Sequence, residues 1–352
     1  MTREELKNLQ ITLPDAAVYA KVKQNWDALA KPLDSMGEFE TVFAKIGAIT
    51  GNENVPIGKK AVIAMCADNG IVEEGISQSG QEVTARVAEA MGKGTSSVCR
   101  MAKRAGADVI PVDVGIATED FIEGVLARKV RRGTRNFLKE AAMTEEETLA
   151  AISVGMEVVK SCKEAGYDLL ATGEMGIGNT TTSSAVAAAM LGCPVEHITG
   201  KGAGLSDAGL QHKIDVIRQG LKKRDCDRGD TLHILSAVGG LDIAGLCGVY
   251  IGGAVYHLPV VMDGVISTVA ALAAERLVPG TKEFVIPSHQ SREPAAEFMM
   301  KELGVKPLIN AGLALGEGTG AVLMFGMFDI VQGLYENRTT FADIEVEPYI
   351  RF

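Results

Sequence analysis

Three glycine-punctuated segments of this 352-residue chain hold the side chains best suited to chemistry. LGEGTGAVLM (315–324) sets Glu317 between two glycines, directly ahead of a strongly apolar helical run. A carboxylate there can accept a proton from a substrate; it can also serve only as a favourable charge at a helix N-terminus. GEMGIGNTTT (173–182) places Gly176, Gly178, Asn179 and Thr180 before an alanine-rich helix. Glycines let backbone N–H groups turn toward an anion, and a helix N-terminus adds unpaired donors, so the segment suits a phosphate. An ordinary tight turn with a threonine cap is the competing reading. Glu174 sits badly against an anion and is expected to face a sugar or a base instead. GKGAGLSDAG (200–209) leads toward Lys213, which is either a point charge for the same phosphate or a cation on a solvated helix face.

Other known chemistries are not supported. GKGTSS (92–97) lacks the glycine spacing and the Gly-Lys-Ser/Thr order of a P-loop. GIGNTT lacks the third glycine of a dinucleotide fingerprint and follows a strand late in the chain, which weakens a nicotinamide-dependent oxidoreductase. His289 stands between Ser288 and Ser291, but no strained G-x-S-x-G elbow accompanies it, so ligand binding by a polar loop is the better role.

These segments must be held by a scaffold, and the periodicity supplies one. Short apolar runs at 61–66, 109–112, 169–171, 259–262 and 284–286 read as strands. Helical stretches between them are expected at 82–103, 144–165, 180–191, 211–224, 229–254, 266–277 and 293–303. The alternation predicts an α/β fold with a parallel sheet, whose ligand lies beyond the carboxyl ends of the strands. The chemistry-bearing segments are the loops that follow those strands. The first fifty residues read as helices at 16–29 and 39–49, a small helical appendage, and the tail after Gly320 as helical, then extended.

Composition narrows the partners. A formal charge of −10 and 5% aromatic residues argue against nucleic acid. The six cysteines show no C-x-x-C pair, as expected for reduced thiols in a cytoplasmic protein. The N-terminus lacks the apolar run of a signal peptide. The uncharged stretch 243–262 imitates a membrane span, but its glycines, His257 and Pro259 point to a buried helix, a turn and a strand.

Taken in order, KPLDSMGEFE (31–40), MCADNGIVEEG (65–75), VDVGI (112–116), GEMGIGNTTT, VGGLDIAGLCG (238–248), PVVMDGVIS (259–267), PSHQSREP (287–294) and LGEGTGA resemble the nicotinate-nucleotide:dimethylbenzimidazole phosphoribosyltransferases, almost end to end. The resemblance implies a Rossmann-like parallel sheet with helices on both faces (56–315) and a small helical domain built from the chain ends (1–55 and 316–352). It implies transfer of ribose 5-phosphate from nicotinate mononucleotide to a benzimidazole-type base, with inversion, in making the cobamide lower ligand. Neither cofactor nor metal is implied, and a homodimer is. By motif position, Glu317 resembles the catalytic base and Glu174 the second active-site carboxylate. Gly176, Gly178, Asn179, Thr180, Gly202, Gly204, Lys213, Asp263, Gly264 and Ser291 would hold the nucleotide. Ser79, Met175, Leu315 and Asp68 would hold the base. Asn69, the SQSGQEVT segment (77–84), Lys201 and Asp242 depart from the family pattern near the base pocket, which leaves dimethylbenzimidazole, benzimidazole, adenine and phenolic acceptors open. A non-catalytic nucleotide sensor is the remaining rival.

Overall fold

A run of eight buried residues, Lys60–Ala67, forms the strand on which the rest is laid. Its side chains alternate between two apolar layers: Ala61, Ile63, Met65 and Ala67 enter one, and Val62, Ala64 and Cys66 the other. The computed structural model describes residues 1–226 and 230–351. The strands are β1 (Lys60–Ala67), β2 (Ala107–Gly115), β3 (Leu126–Ala127), β4 (Leu169–Met175), β5 (Val260–Met262), β6 (Val285–Pro287), β7 (His289–Ser291) and β8 (Ile309–Leu313). Six of them pair in the order β3-β2-β1-β4-β5-β6, every pair parallel. The strand order reverses direction between β1 and β4, which opens a crevice at their carboxyl ends. Strands β7 and β8 form a separate parallel pair.

The helices are α1 (Arg3–Lys7), α2 (Ala16–Asp27), α3 (Glu38–Thr50), α4 (Glu82–Gly92), α5 (Ser97–Arg104), α6 (Glu145–Glu164), α7 (Asn179–Leu191), α8 (Val195–Ile198), α9 (Asp207–Arg224), α10 (Thr231–Val238), α11 (Leu241–Val255), α12 (Val265–Leu277), α13 (Ala295–Leu303) and α14 (Thr319–Glu336). On one side of the sheet, α6 and α11 pack so closely that a Cβ at Gly155 would lie 2.0 Å from the Gly245 carbonyl oxygen, and one at Gly248 1.9 Å from that of Ile152. Only hydrogen fits at both positions. On the other side, α2, α3 and α14 meet through aromatic rings, with Trp26 and Tyr335 centroids 4.9 Å apart and Phe43 and Phe328 6.0 Å apart. The same apolar cluster continues onto the sheet through Val62, Ala64 and Ala171.

Four sequence expectations change. The helix expected at 82–103 is two helices, because Ser96 leaves helical geometry and its hydroxyl accepts the Cys99 N–H to start α5. The helix expected at 229–254 breaks at Gly239 and Gly240 into α10 and α11, and residue 229 lies outside the described residues. Strand β4 runs four residues past its apolar stretch, so Gly173 and Glu174 belong to the sheet. Strands β3, β7 and β8 were not expected: they are short or polar, and pairing rather than side-chain pattern makes them strands. The membrane-like stretch folds as α11, a turn with His257 at φ 52° and β5. Among the described residues no helix is long and apolar enough to cross a membrane.

Candidate active site

The carboxyl ends of β4, β5 and β6 and the loop before α14 enclose a cleft of about 220 Å³. A smaller crevice of about 80 Å³ shares Gly176, Asn179, Thr180 and Gly202 with it and reaches Lys213. Glu174, at the end of β4, and Glu317 both line the cleft.

Glu317 is placed by an unusual backbone. Gly316, Glu317 and Gly318 have φ of 88°, 60° and 97°, three left-handed residues in succession, and a side chain at the centre of such a run is strained. The turn lies hard against β4: a Cβ at Gly173 would be 2.3 Å from the Glu317 carbonyl oxygen. Glu317 Oε2 accepts the Val98 N–H at 3.0 Å, at the N-terminus of α5. The carboxylate therefore caps a helix other than the one it precedes, which fixes one oxygen across 219 residues of chain.

Glu174 is held differently. The Asn179 side-chain amide donates to Glu174 Oε2 and to Asp242 Oδ2, the latter at 3.1 Å. Asp242, near the start of α11, is wholly buried and also accepts the Ile243 N–H. Glu174 keeps partial exposure to the cleft, but protein crowds its carboxyl. Desolvation, with like charge from Asp242, Asp263 and Glu317, pushes it up to about 8 against the pull of Asn179. Burial likewise pushes Asp242 up to about 7. Glu174 is thus a carboxyl suited to carrying a proton near neutral pH.

Beyond β5, Asp263 Oδ1 accepts the Ala321 N–H at 3.0 Å and so caps α14. Its carboxylate is raised by burial, and burial lowers His289 although Asp263 opposes this. Ser288 Oγ donates to the Met262 carbonyl at 2.6 Å and lies 3.0 Å from His289 Nδ1. With its one proton committed, Ser288 can only accept there, so a neutral His289 carries its proton on Nδ1 and leaves Nε2 as an acceptor in the cleft wall. Gly320 is required beside it, since a Cβ there would lie 2.1 Å from His289 Nδ1.

The crevice has the opposite character. Lys213 Nζ is fully buried and donates to Thr180 Oγ1 at 2.9 Å and to the Gly200 carbonyl at 3.1 Å. Desolvation pulls its ammonium down to about 8, while Glu293 works to keep it charged. Gly178 at φ 91° turns the chain into α7 and lines this crevice.

Of the expected residues, Met175, Asp263, Gly264, Ser291 and Leu315 line the cleft, together with Gly176, Asn179, Thr180 and Gly202. Gly204 lines neither cavity; its carbonyl accepts the Gln78 amide at 2.6 Å and clasps two loops together. Two of the residues expected at the base lie off both cavities. Asp68 is 1% exposed and accepts the Ala117 N–H at 2.8 Å, so it braces the loop behind the cleft. Ser79 does not line the walls; Ser77 and Gln78 of the same segment do, and on the crevice side. Asn69 is also buried behind the wall, where its amide donates to the Ile177 carbonyl at 3.4 Å. Sequence reasoning did not single out Glu293; its position in PSHQSREP, after a strand's carboxyl end, was the available signal.

A doubly wound parallel sheet with an anion-suited crevice and paired carboxylates at its carboxyl edge defines a nucleotide-handling transferase. The family model described as Phosphoribosyltransferase matches residues 11–346. A nicotinate-nucleotide:dimethylbenzimidazole phosphoribosyltransferase from Clostridium acetobutylicum is 44% identical over 335 residues, covering 95% of either chain. One from Acetivibrio thermocellus is 45% identical over 328 residues, covering 93% of either chain. The crystal structure of CobT from Thermus thermophilus superposes with a TM-score of 0.89 at 35% identity, over 95% of this chain and all of that one. The chain belongs to the nicotinate-nucleotide:dimethylbenzimidazole phosphoribosyltransferase family, and its activity is that of a pentosyltransferase.

Proposed function

We propose that this enzyme transfers ribose 5-phosphate from nicotinate mononucleotide to a benzimidazole-type base, giving an α-ribotide and nicotinate. The names of the relatives supply the donor and acceptor classes. The observation that carries the reading is the joint presence of Glu317 and Glu174 on one cleft, with an adjoining crevice that reaches Lys213. The anomeric carbon bears a pyridinium nitrogen, so the C–N bond breaks with its electron pair returning to the ring and nicotinate leaves. The unprotonated nitrogen of the acceptor attacks from the opposite face, which inverts the β-linkage. The other N–H of the acceptor becomes acidic as the new bond forms, and Glu317 takes that proton. Glu174 faces the ribose, where its carboxyl can hydrogen-bond a sugar hydroxyl, and Asn179 holds it in place.

Incubation with nicotinate mononucleotide and a panel of dimethylbenzimidazole, benzimidazole, adenine and phenol tests the reading by chromatography with mass detection. An α-ribotide formed by the wild type and lost in Glu317→Gln supports it. Nucleotide binding with no ribotide from any base would overturn it in favour of a sensor.

The enzyme acts as a homodimer in the cytoplasm. Leu323, Ile330 and Leu334 expose one apolar stripe of α14, with Ile330 79% exposed, and Leu315 is exposed at the cleft mouth. A monomer in sedimentation at working concentration would refute the dimer.

A further inference from the structure

The seat proposed for phosphate, at Gly202 where the cleft and the crevice meet, already holds an anion, the chain's own. Glu293 Oε1 accepts the Gly202 N–H at 3.1 Å. Its other oxygen lies so close to residue 200 that a Cβ on Gly200 would stand 2.0 Å from it. The Ser291 hydroxyl accepts the Glu293 N–H at 3.3 Å, which seats the residue at the end of β7. Lys213 donates to the carbonyl of Gly200, the residue packed against that carboxylate. Gly202, at φ 53°, and Gly204, at φ 102°, turn the loop that Glu293 restrains.

We propose that Glu293 is an internal competitor for the phosphate seat, displaced when a ligand carrying a phosphate monoester binds and so tuning how tightly phosphate ligands, product included, are held. The inference rests on the reading of Gly202 and Lys213 as that seat. A phosphate that takes the Gly202 N–H must displace the carboxylate, because one N–H cannot serve two anions at full strength and two anions in a desolvated crevice repel. A monoester carries about −1.5 to −2 charge near neutral pH against −1 for the carboxylate, so it wins the exchange at Lys213. A nucleoside without phosphate has nothing to exchange and gains nothing. The competitor thus lowers affinity for every phosphate ligand, product included, and leaves phosphate-free ligands alone.

Calorimetry with inorganic phosphate, nicotinate mononucleotide and nicotinate riboside, on wild type, Glu293→Gln, Glu293→Ala and Lys213→Met, tests this alongside steady-state kinetics. Both Glu293 variants are expected to bind phosphate and mononucleotide about tenfold more tightly, in keeping with removal of one nearby like charge. KM for the mononucleotide falls with them, kcat does not rise, and riboside binding is unchanged. Having two variants guards against the loss of one to misfolding, which a thermal melt detects. Phosphate affinity that stays the same or weakens in both folded variants overturns the proposal. If Lys213→Met binds phosphate as the wild type does, the seat lies elsewhere and the reading beneath the proposal fails too. If Lys213→Met loses phosphate while the Glu293 variants bind it no more tightly, only the competitor is refuted.

Discussion

The two ends of the cleft treat charge in opposite ways. At the strand end, Glu174, Asp242, Asp263 and Glu317 crowd acidic groups together, and burial favours the protonated forms of Glu174, Asp242 and Asp263. At the loop end, one buried lysine and a run of glycines offer hydrogen-bond donors, with Glu293 as counter-ion. On the proposed reading, a ligand that spans both is oriented by this difference: its phosphate goes to the lysine, and its ribose and base go to the acidic end. Even within the acidic end the carboxylates differ, since Glu317 is anchored to a helix N-terminus and Glu174 to a side-chain amide shared with a second acid.

That contrast can be broken at the acidic end first. Glu317→Gln is expected to lower kcat by about 10²–10⁴, the usual worth of a general base, with mononucleotide affinity preserved; calorimetry beside turnover measures both. A parallel loss of affinity would mean the two ends are not separable. At the other end, Lys213→Met is expected to weaken mononucleotide binding about 10- to 100-fold, as for a charge-assisted contact. In the wild type, affinity should fall as pH rises through about 8, where Lys213 sheds its proton. The variant should lose that dependence.

The contrast sharpens with backbone and pH. Gly320→Ala drives a methyl into His289 and toward Asp263, and about 1–3 kcal/mol of overpacking should appear as a lower Tm. A last test concerns Glu174 and Asp242. Their carboxyls are raised from ordinary values of 4.5 and 3.8 to about 8 and about 7, so the folded protein holds protons that the unfolded chain releases. Their stabilising contribution is complete below about pH 4 and disappears as pH rises through 7–8. Melting curves from pH 5 to 8.5 should therefore slope downward, and Glu174→Gln should flatten the slope; an unchanged slope would sink this account.

What the sequence revealed follows the same division. The buried strands β1 and β4 were legible because an apolar run in the centre of a sheet has no other use. The loops after them were legible as sites because of glycine spacing. Breaks at Ser96 and at Gly239 were not, since the apolar periodicity runs through both and only the cap geometry interrupts it. Glu293 and His289 acquire their partners from segments distant in sequence, and local pattern cannot indicate that approach. Asp68 and Ser79 stand off both cavities for a reason that local pattern also cannot show: a polar residue in a loop beside a site looks the same whether or not it lines the cavity.

The hydrogen bond from Val98 to Glu317 also sets a clock. The carboxylate belongs to a turn late in the chain, yet it is seated on β4 and on the start of α5, both made long before it. During synthesis the sheet and the lysine crevice can assemble while the acidic end still lacks Glu317, and α14 must emerge and dock beside Phe43 before that end is complete. A nascent chain can therefore form the proposed phosphate seat before it can do chemistry, and catalytic competence waits on the docking of α14.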